Sequence, residues 1–245
     1  MRNSRVFRRA SCVLLLGIAA QLPARAQAQR RSAAPPRGIF SGAGYLQVSE
    51  PKGDFGTNTG NGFGLNAAGI WRLAPSGLAN IRADAGFITY GSNTRRIDFA
   101  NTGGLVKLDL RTNSSIFSLV GGPQIGGTAG PISPYIAALG GFSVFWTESS
   151  VEGSRNNSNE PFASTTNASD FVVAYGGAAG LTIRLHEGDR PVRLDLGARL
   201  LRHDDVSYLN EARVEEAFKN NRDPIPLRGR ADFVTYYLGA NVVVF

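Results

Sequence analysis

The sequence predicts an all-β chain: a transmembrane antiparallel up-and-down β-barrel of eight strands, with ten as the alternative, preceded by a cleaved signal peptide. Three observations carry this expectation. Residues 231–245, ADFVTYYLGANVVVF, are rich in β-branched and aromatic residues, hold no Pro and one charge, Asp232, and stop on Phe245. Residues 1–28 have the layout of a secretory signal. Between these ends, runs of roughly ten residues alternate in polarity, and short turns take turns with long polar connections.

In the N-terminal segment, Arg2, Arg5, Arg8 and Arg9 form a basic head, Val13 to Ala20 a short apolar core, and Ala24-Arg25-Ala26 or Ala26-Gln27-Ala28 a small-residue cleavage site. The apolar run is too short to cross a hydrocarbon core of ~30 Å as a helix. Cys12 precedes that core instead of following it, which argues against lipid attachment. Residues 1–28 carry five arginines and no acid, so the formal charge of the mature chain falls from +7 to +2. The basic balance is therefore no sign of nucleic-acid binding. The mature chain also has no Cys, which excludes intramolecular disulfides, thiolate catalysis and cysteine metal sites. Residues 29–37 read as a short polar leader, and 38–245 as one barrel domain.

Taken in order, the first strand is expected over 39–48 and a loop, PKGDFGTNTG, over 51–60. In the second run, 62–73, Phe63, Leu65, Ala67, Gly69, Trp71 and Leu73 share one face, with Asn66 and Arg72 on the other; Ala74-Pro75-Ser76-Gly77 is a tight turn. The third run sets Ala79, Ile81, Ala83, Ala85 and Phe87 against Asn80, Arg82 and Asp84, an apolar-out and polar-in alternation. Residues 112–147 contain no charge, but seven Gly and three Pro rule against a spanning helix and favour a hairpin of 116–126 and 135–146. Phe171 to Leu185 and Val192 to Leu200 are the next two strands, and 231–245 closes the set.

The inward-facing candidates are Arg72, Arg82, Asp84, Arg184, Arg193, Asp195 and Arg199, expected to pair in an internal polar network with trapped water. Counting Leu105 to Leu110 as a strand gives nine, whereas a single-chain barrel with both ends on one side needs an even number. Leu105 to Arg111, with Lys107 and Asp109 able to face water, is therefore expected outside the wall, as a hairpin or strand extension above the membrane. Connections at 74–77, 128–133 and 186–190 are short, and those at 50–60, 91–112, 148–169 and 205–229 are long. Trp71, Tyr90, Trp146, Tyr236 and Tyr237 are expected in interfacial girdles.

With these features the chain resembles the small bacterial outer-membrane β-barrel superfamily, the OmpA membrane domain and OmpX-like proteins among them. The resemblance rests on the signal peptide, the Gly-containing alternating strands, Pro134-Tyr135 opening a strand after a short turn, and the Phe245 terminus. It implies an insertion signal at Tyr237, Val243 and Phe245, although Asn241 stands on that face where such signals carry an apolar residue. It further implies a monomer in the outer membrane, with outer-membrane lipid, lipopolysaccharide and the barrel-assembly machinery as partners. The roles it implies run from envelope integrity and adhesion to minor small-solute passage. An eight-stranded barrel is only just wide enough for its own side chains, so a large pore is not expected.

No cofactor-binding or metal-binding pattern is expected. The glycines of 60–64 and 176–180 lack the strand-to-helix setting of a phosphate loop. The acids Asp204, Asp205, Glu211, Glu215 and Glu216 read most simply as a solvated loop. Lipid A deacylase barrels use His, Ser and a carboxylate, and Arg202 to Ser207, RHDDVS, offers those types around His203. In an extended strand, however, positions four apart lie roughly 13 Å apart, far beyond hydrogen-bond reach. No catalytic residue is therefore expected, and His203 reads as a solvated side chain at a strand end. His186 falls in a turn at the other end. The alternatives are a soluble secreted β-barrel binding a small apolar ligand and a lipid A deacylase-like enzyme centred on His203.

Overall fold

The computed structural model describes residues 39–98, 107–128, 130–153, 163–186, 190–208 and 225–244. The expected signal peptide, the 29–37 leader and Phe245 lie outside the described residues. Eight strands close into one antiparallel barrel: β1 (Phe40–Lys52), β2 (Gly62–Arg72), β3 (Ala79–Asp98), β4 (Lys107–Gly126), β5 (Ile132–Gly153), β6 (Ala163–His186), β7 (Val192–His203) and β10 (Asp232–Val243). Each wall strand pairs with its neighbour in sequence, and β1 pairs with β10 from Ser41 opposite Val243 to Lys52 opposite Asp232. A six-residue helix, α1 (Gly53–Asn58), follows β1, and a two-stranded sheet of β8 (Asp205–Tyr208) and β9 (Leu227–Arg230) follows β7.

Alternation sets the wall. On β3, Ile81 and Phe87 are exposed outward while Arg82 and Asp84 are buried inward, and Leu46, Leu65 and Leu196 likewise face out. On β10 the odd positions Phe233, Thr235, Tyr237, Asn241 and Val243 are buried, and Tyr236 and Leu238, with Val244 just past the strand, are exposed, which settles the orientation of the closing strand. Three connections at one end are short. In the first, Gly77 N–H donates to the Ala74 carbonyl at 2.9 Å and Gly77 takes a φ of 70°.

Several expectations need correction. Residues 91–98, 148–153 and 163–169 are strand, not loop, whereas 107–111 open β4 as the strand extension expected there. A polar composition does not end a ladder of backbone hydrogen bonds. The pairing bulges at Tyr90 of β3, between Thr89 and Gly91, and at Asn167 of β6, opposite Thr147 and Glu148. The 51–60 stretch is not a bare loop either, since it contains α1 with the buried Phe55. Within 205–229, β8 and β9 are strands, and 209–224 lie outside the described residues. Of the expected girdle residues, Trp71 and Tyr236 face outward, while Tyr90 and Tyr237 are buried in the interior.

Candidate functional site inside the barrel

Period-two spacing stacks the inward side chains into three storeys along the axis. At the end carrying the short turns, Asn80 Nδ2 donates to the Gly126 carbonyl at 2.9 Å, Thr128 Oγ1 to Gly77 O at 2.7 Å and Thr182 Oγ1 to Gly127 O at 2.7 Å. Arg193 donates to Thr128 O at 2.9 Å and Gly130 O at 3.3 Å. Wall side chains thereby satisfy the carbonyls of the turns that close this mouth. Arg72 and Arg184 are half-buried here, away from the central charges.

The middle storey gathers Arg82, Asp84, Asp195 and Arg199 with three tyrosines. Arg82 and Asp84 sit two apart on one strand face, which lets the guanidinium turn back onto its neighbour. Arg82 Nε meets Asp84 Oδ2 at 2.7 Å and Nη2 meets Oδ1 at 2.9 Å, a two-pronged pair. The guanidinium carbon lies 5.5 Å from the ring centres of Tyr45 and Tyr135 and 5.6 Å from that of Tyr237. Three π faces thus stand in for lost hydration, each contributing about 0.5–2 kcal/mol. Asp195 accepts from Tyr45 Oη at 2.7 Å and Tyr135 Oη at 2.8 Å. Because Tyr135 gives its hydrogen to Asp195, Tyr237 must donate across the 2.8 Å Tyr135–Tyr237 contact. Arg199 reaches Asp84 at 3.5 Å, Gln47 Oε1 at 3.1 Å and Asn66 Oδ1 at 3.3 Å. Two cations and two anions balance in this layer.

The tyrosines fit because the opposite positions lack side chains. A Cβ on Gly180 would lie 2.6 Å from the Tyr135 ring, one on Gly197 2.7 Å from Tyr237 Oη, and one on Gly239 2.7 Å from Tyr45 Cδ1. Each ring therefore lies over a glycine of the adjoining strand.

The outer storey is largely apolar, with hydroxyl pairs such as Ser114–Thr147 and Ser118–Ser143 set among its apolar side chains. Phe55, Ile88, Ile116, Phe145, Leu201 and Phe233 belong to one buried cluster, joined by Val206 and Tyr208 of β8. Cap elements can fold into the mouth only if the wall offers them apolar surface, and this wall does.

His203 is not solvated: it is 1% exposed, stacked on Phe233 and edge-on to Phe145. Its Nδ1 lies 2.6 Å from the Ala231 carbonyl and its Nε2 2.8 Å from Ser143 Oγ. A carbonyl only accepts, so the proton sits on Nδ1, and Ser143 donates to Nε2. Ser143 in turn meets Ser118 Oγ at 2.7 Å. The serine beside His203 is thus Ser143, brought from another strand, whereas Ser207 N–H binds Asp170 Oδ2 at 2.7 Å. The arrangement has a serine and a base, but its third member is a backbone carbonyl and Ser143 is fully buried. It is built as a clasp that ties the end of β7 to the start of β10.

Arg202 and Asp204 are exposed on either side of His203. His203→Ala removes both ring contacts, so hydrogen exchange at 227–231 should be faster than in the unchanged protein.

Asp84, Arg82, Asp195 and Arg199 thus meet in one layer, Arg193 is at the turn-bearing mouth, and Tyr237 and Val243 both point inward. The partners missed in the sequence reading are Tyr45, Tyr135 and Ser143; the first two carried a signal in the inward glycines opposite them. No protein-family model matches the chain, and no curated protein matches its sequence. Solved structures similar to it include Neisserial surface protein A, at a TM-score of 0.46 and 13% identity, over 84% of this chain and 97% of that one. The attachment invasion locus protein Ail of Yersinia pestis follows at 0.42 and 15% identity, over 84% and 98%. A major outer membrane protein from Thermus thermophilus aligns at 0.35 and 13% identity, over 82% and 98%.

Proposed function

We propose that this protein is an integral barrel of a Gram-negative outer membrane, sealed inside, non-enzymatic, and working through its outer surface in adhesion or envelope integrity. The observation that carries this reading is the orientation of the wall. Leu46, Phe63, Leu65, Ile136, Phe171 and Leu238, from five different strands, are between 52% and 68% exposed around the outside, while Arg82, Asp84, Asp195 and Arg199 are buried within. In water such a belt would be a large exposed apolar patch, whereas in lipid it is the required surface. A soluble barrel holding an apolar ligand would carry the opposite pattern.

Strand lengths add the outward direction. β1, β2, β7 and β10 have 11 to 13 residues, close to a membrane crossing, whereas β3 to β6 have 20 to 24. The excess, roughly ten residues at ~3.3 Å each, raises a four-stranded sheet about 30 Å above one side of the rim. Beyond Thr89 β3 has no partner on the β2 side, and before Ala174 β6 has none on the β7 side, among the described residues. Such edges suit strand addition by a partner protein. Lipopolysaccharide would surround the wall, and the assembly machinery would insert it.

Carbonate and urea washing of membranes should leave the protein in the pellet, and its release would reject the membrane reading. In planar bilayers the purified barrel should show no stable conductance, because the tyrosine layer and the apolar storey both block the axis; a steady ohmic step would overturn the sealed reading. Shortening the β3–β4 and β5–β6 hairpins to rim height should preserve insertion and abolish adhesion of expressing cells.

A further inference from the structure

The helix α1 buries the Phe55 side chain in the barrel mouth. It has six residues, its N-cap Lys52 makes no side-chain capping bond, and Gly53 enters it with a φ of 60°. Gly53, Gly56 and Thr57 are exposed, whereas Phe55 is 1% exposed. So short a helix, with glycines in it, does not sustain itself in water. The buried Phe55 ring docks it, and Thr59 Oγ1 donates to the Phe55 carbonyl at 2.6 Å within the segment.

The pocket around that ring belongs to other elements. Tyr208 of β8, Tyr90 of β3 and Phe145 of β5 stand edge-on to Phe55 at centroid distances of 5.0, 5.2 and 6.1 Å. Behind them Phe145 meets His203 at 5.3 Å. Phe145 is held in the wall ladder opposite Ile116 and Asp170, and Tyr90 stands at the β3 bulge between the paired residues Thr89 and Gly91, so the backbone carrying both rings is held without α1.

We propose that α1 is a displaceable lid, and that the pocket filled by Phe55 is an outward-facing site for a small planar aromatic molecule. Edge-to-face geometry around a single ring selects flat aromatics over branched aliphatics. Phe55 competes as a tethered ligand at an effective concentration in the millimolar range or above, so the closed lid weakens binding by that competition. The site does not depend on lipid around the wall, and its failure would leave the membrane reading untouched.

The test uses the full chain in lipid nanodiscs with 5-fluoroindole as probe, followed by fluorine NMR. Phe55→Ala, with folding checked by heat-modifiable migration, should bind the probe saturably. The unmodified protein should bind at least tenfold more weakly, with amides 53–59 losing protection as probe is added. Phe55→Ala/Phe145→Trp, which fills the pocket, should not bind. A folded Phe55→Ala variant without saturable binding would overturn the proposal. So would binding that survives Phe145→Trp, since the probe would then sit elsewhere. Amides 53–59 that stay as protected as β1 at saturating probe would exclude a lid.

Discussion

Replacing Arg82 with methionine is expected to destabilise the barrel by about 3–5 kcal/mol, the range for breaking a buried pair from one side. Methionine keeps most of the side chain's length, so the loss is electrostatic more than steric. Asp84 would keep Asn66 at 2.9 Å and Arg199 at 3.5 Å but lose both short bonds from Arg82. The three tyrosine faces would also lose their cation. Asp84→Asn alone should cost a similar amount, because it strands the buried guanidinium instead. The double variant Arg82→Met/Asp84→Asn should cost clearly less than the two singles added together, since neither partner is then left charged and alone. Urea unfolding in lipid vesicles would measure this, followed by the tryptophans Trp71 and Trp146 on the wall strands β2 and β5. Strict additivity would mean the pair is not a unit and would remove the ion layer as a stabilising element.

The barrel itself was legible because alternation is a local property. Whether Ile81 or Arg82 faces the core is written in adjacent residues, and one membrane-facing belt forces the same parity on every strand. Strand ends were legible only at the turn-bearing side, where Gly and Pro punctuate them. At the other side β3 to β6 run on through Ser, Thr and Asn, whose polarity looks like loop although the backbone keeps pairing. The charged members of the interior, Arg82, Asp84, Asp195 and Arg199, could be named from parity alone. Their partners could not, because Tyr45, Tyr135 and Tyr237 come from three strands whose relative stagger is set by barrel closure, which no single stretch encodes. His203 misled for the same reason. Its neighbours in sequence offer Ser207, but the strand breaks at Asp204, and the serine that reaches the ring lies 60 residues away, at Ser143. Phe55 was one aromatic residue in a glycine-rich loop, a signal whose meaning needs the pocket across the mouth.

Gly239→Ala should prevent the barrel from closing in its native register, whereas Gly140→Ala should be nearly silent. Both glycines lie inside wall strands, so backbone propensity treats them alike and favours alanine slightly in each. Their surroundings differ. A Cβ on Gly140 meets nothing within 4 Å, but on Gly239 it would stand 2.0 Å from the Gly44 carbonyl oxygen and 2.7 Å from Tyr45 Cδ1. Rotating Tyr45 removes only the second clash and costs its bond to Asp195. The first is with backbone, across the β1–β10 seam where Tyr45 pairs with Gly239. Relief requires the two end strands to part, and these are the wall neighbours joined by closure alone and not by a connecting segment. Overpacking of this kind costs about 1–3 kcal/mol where side chains can yield, and more where they cannot. On unheated gels the Gly239→Ala protein should therefore lose the compact, heat-modifiable band that Gly140→Ala retains. Adding Tyr45→Ala to Gly239→Ala should not restore it. Restoration would show that the ring, and not the seam backbone, is the obstacle, and that the end strands have more freedom than their register implies.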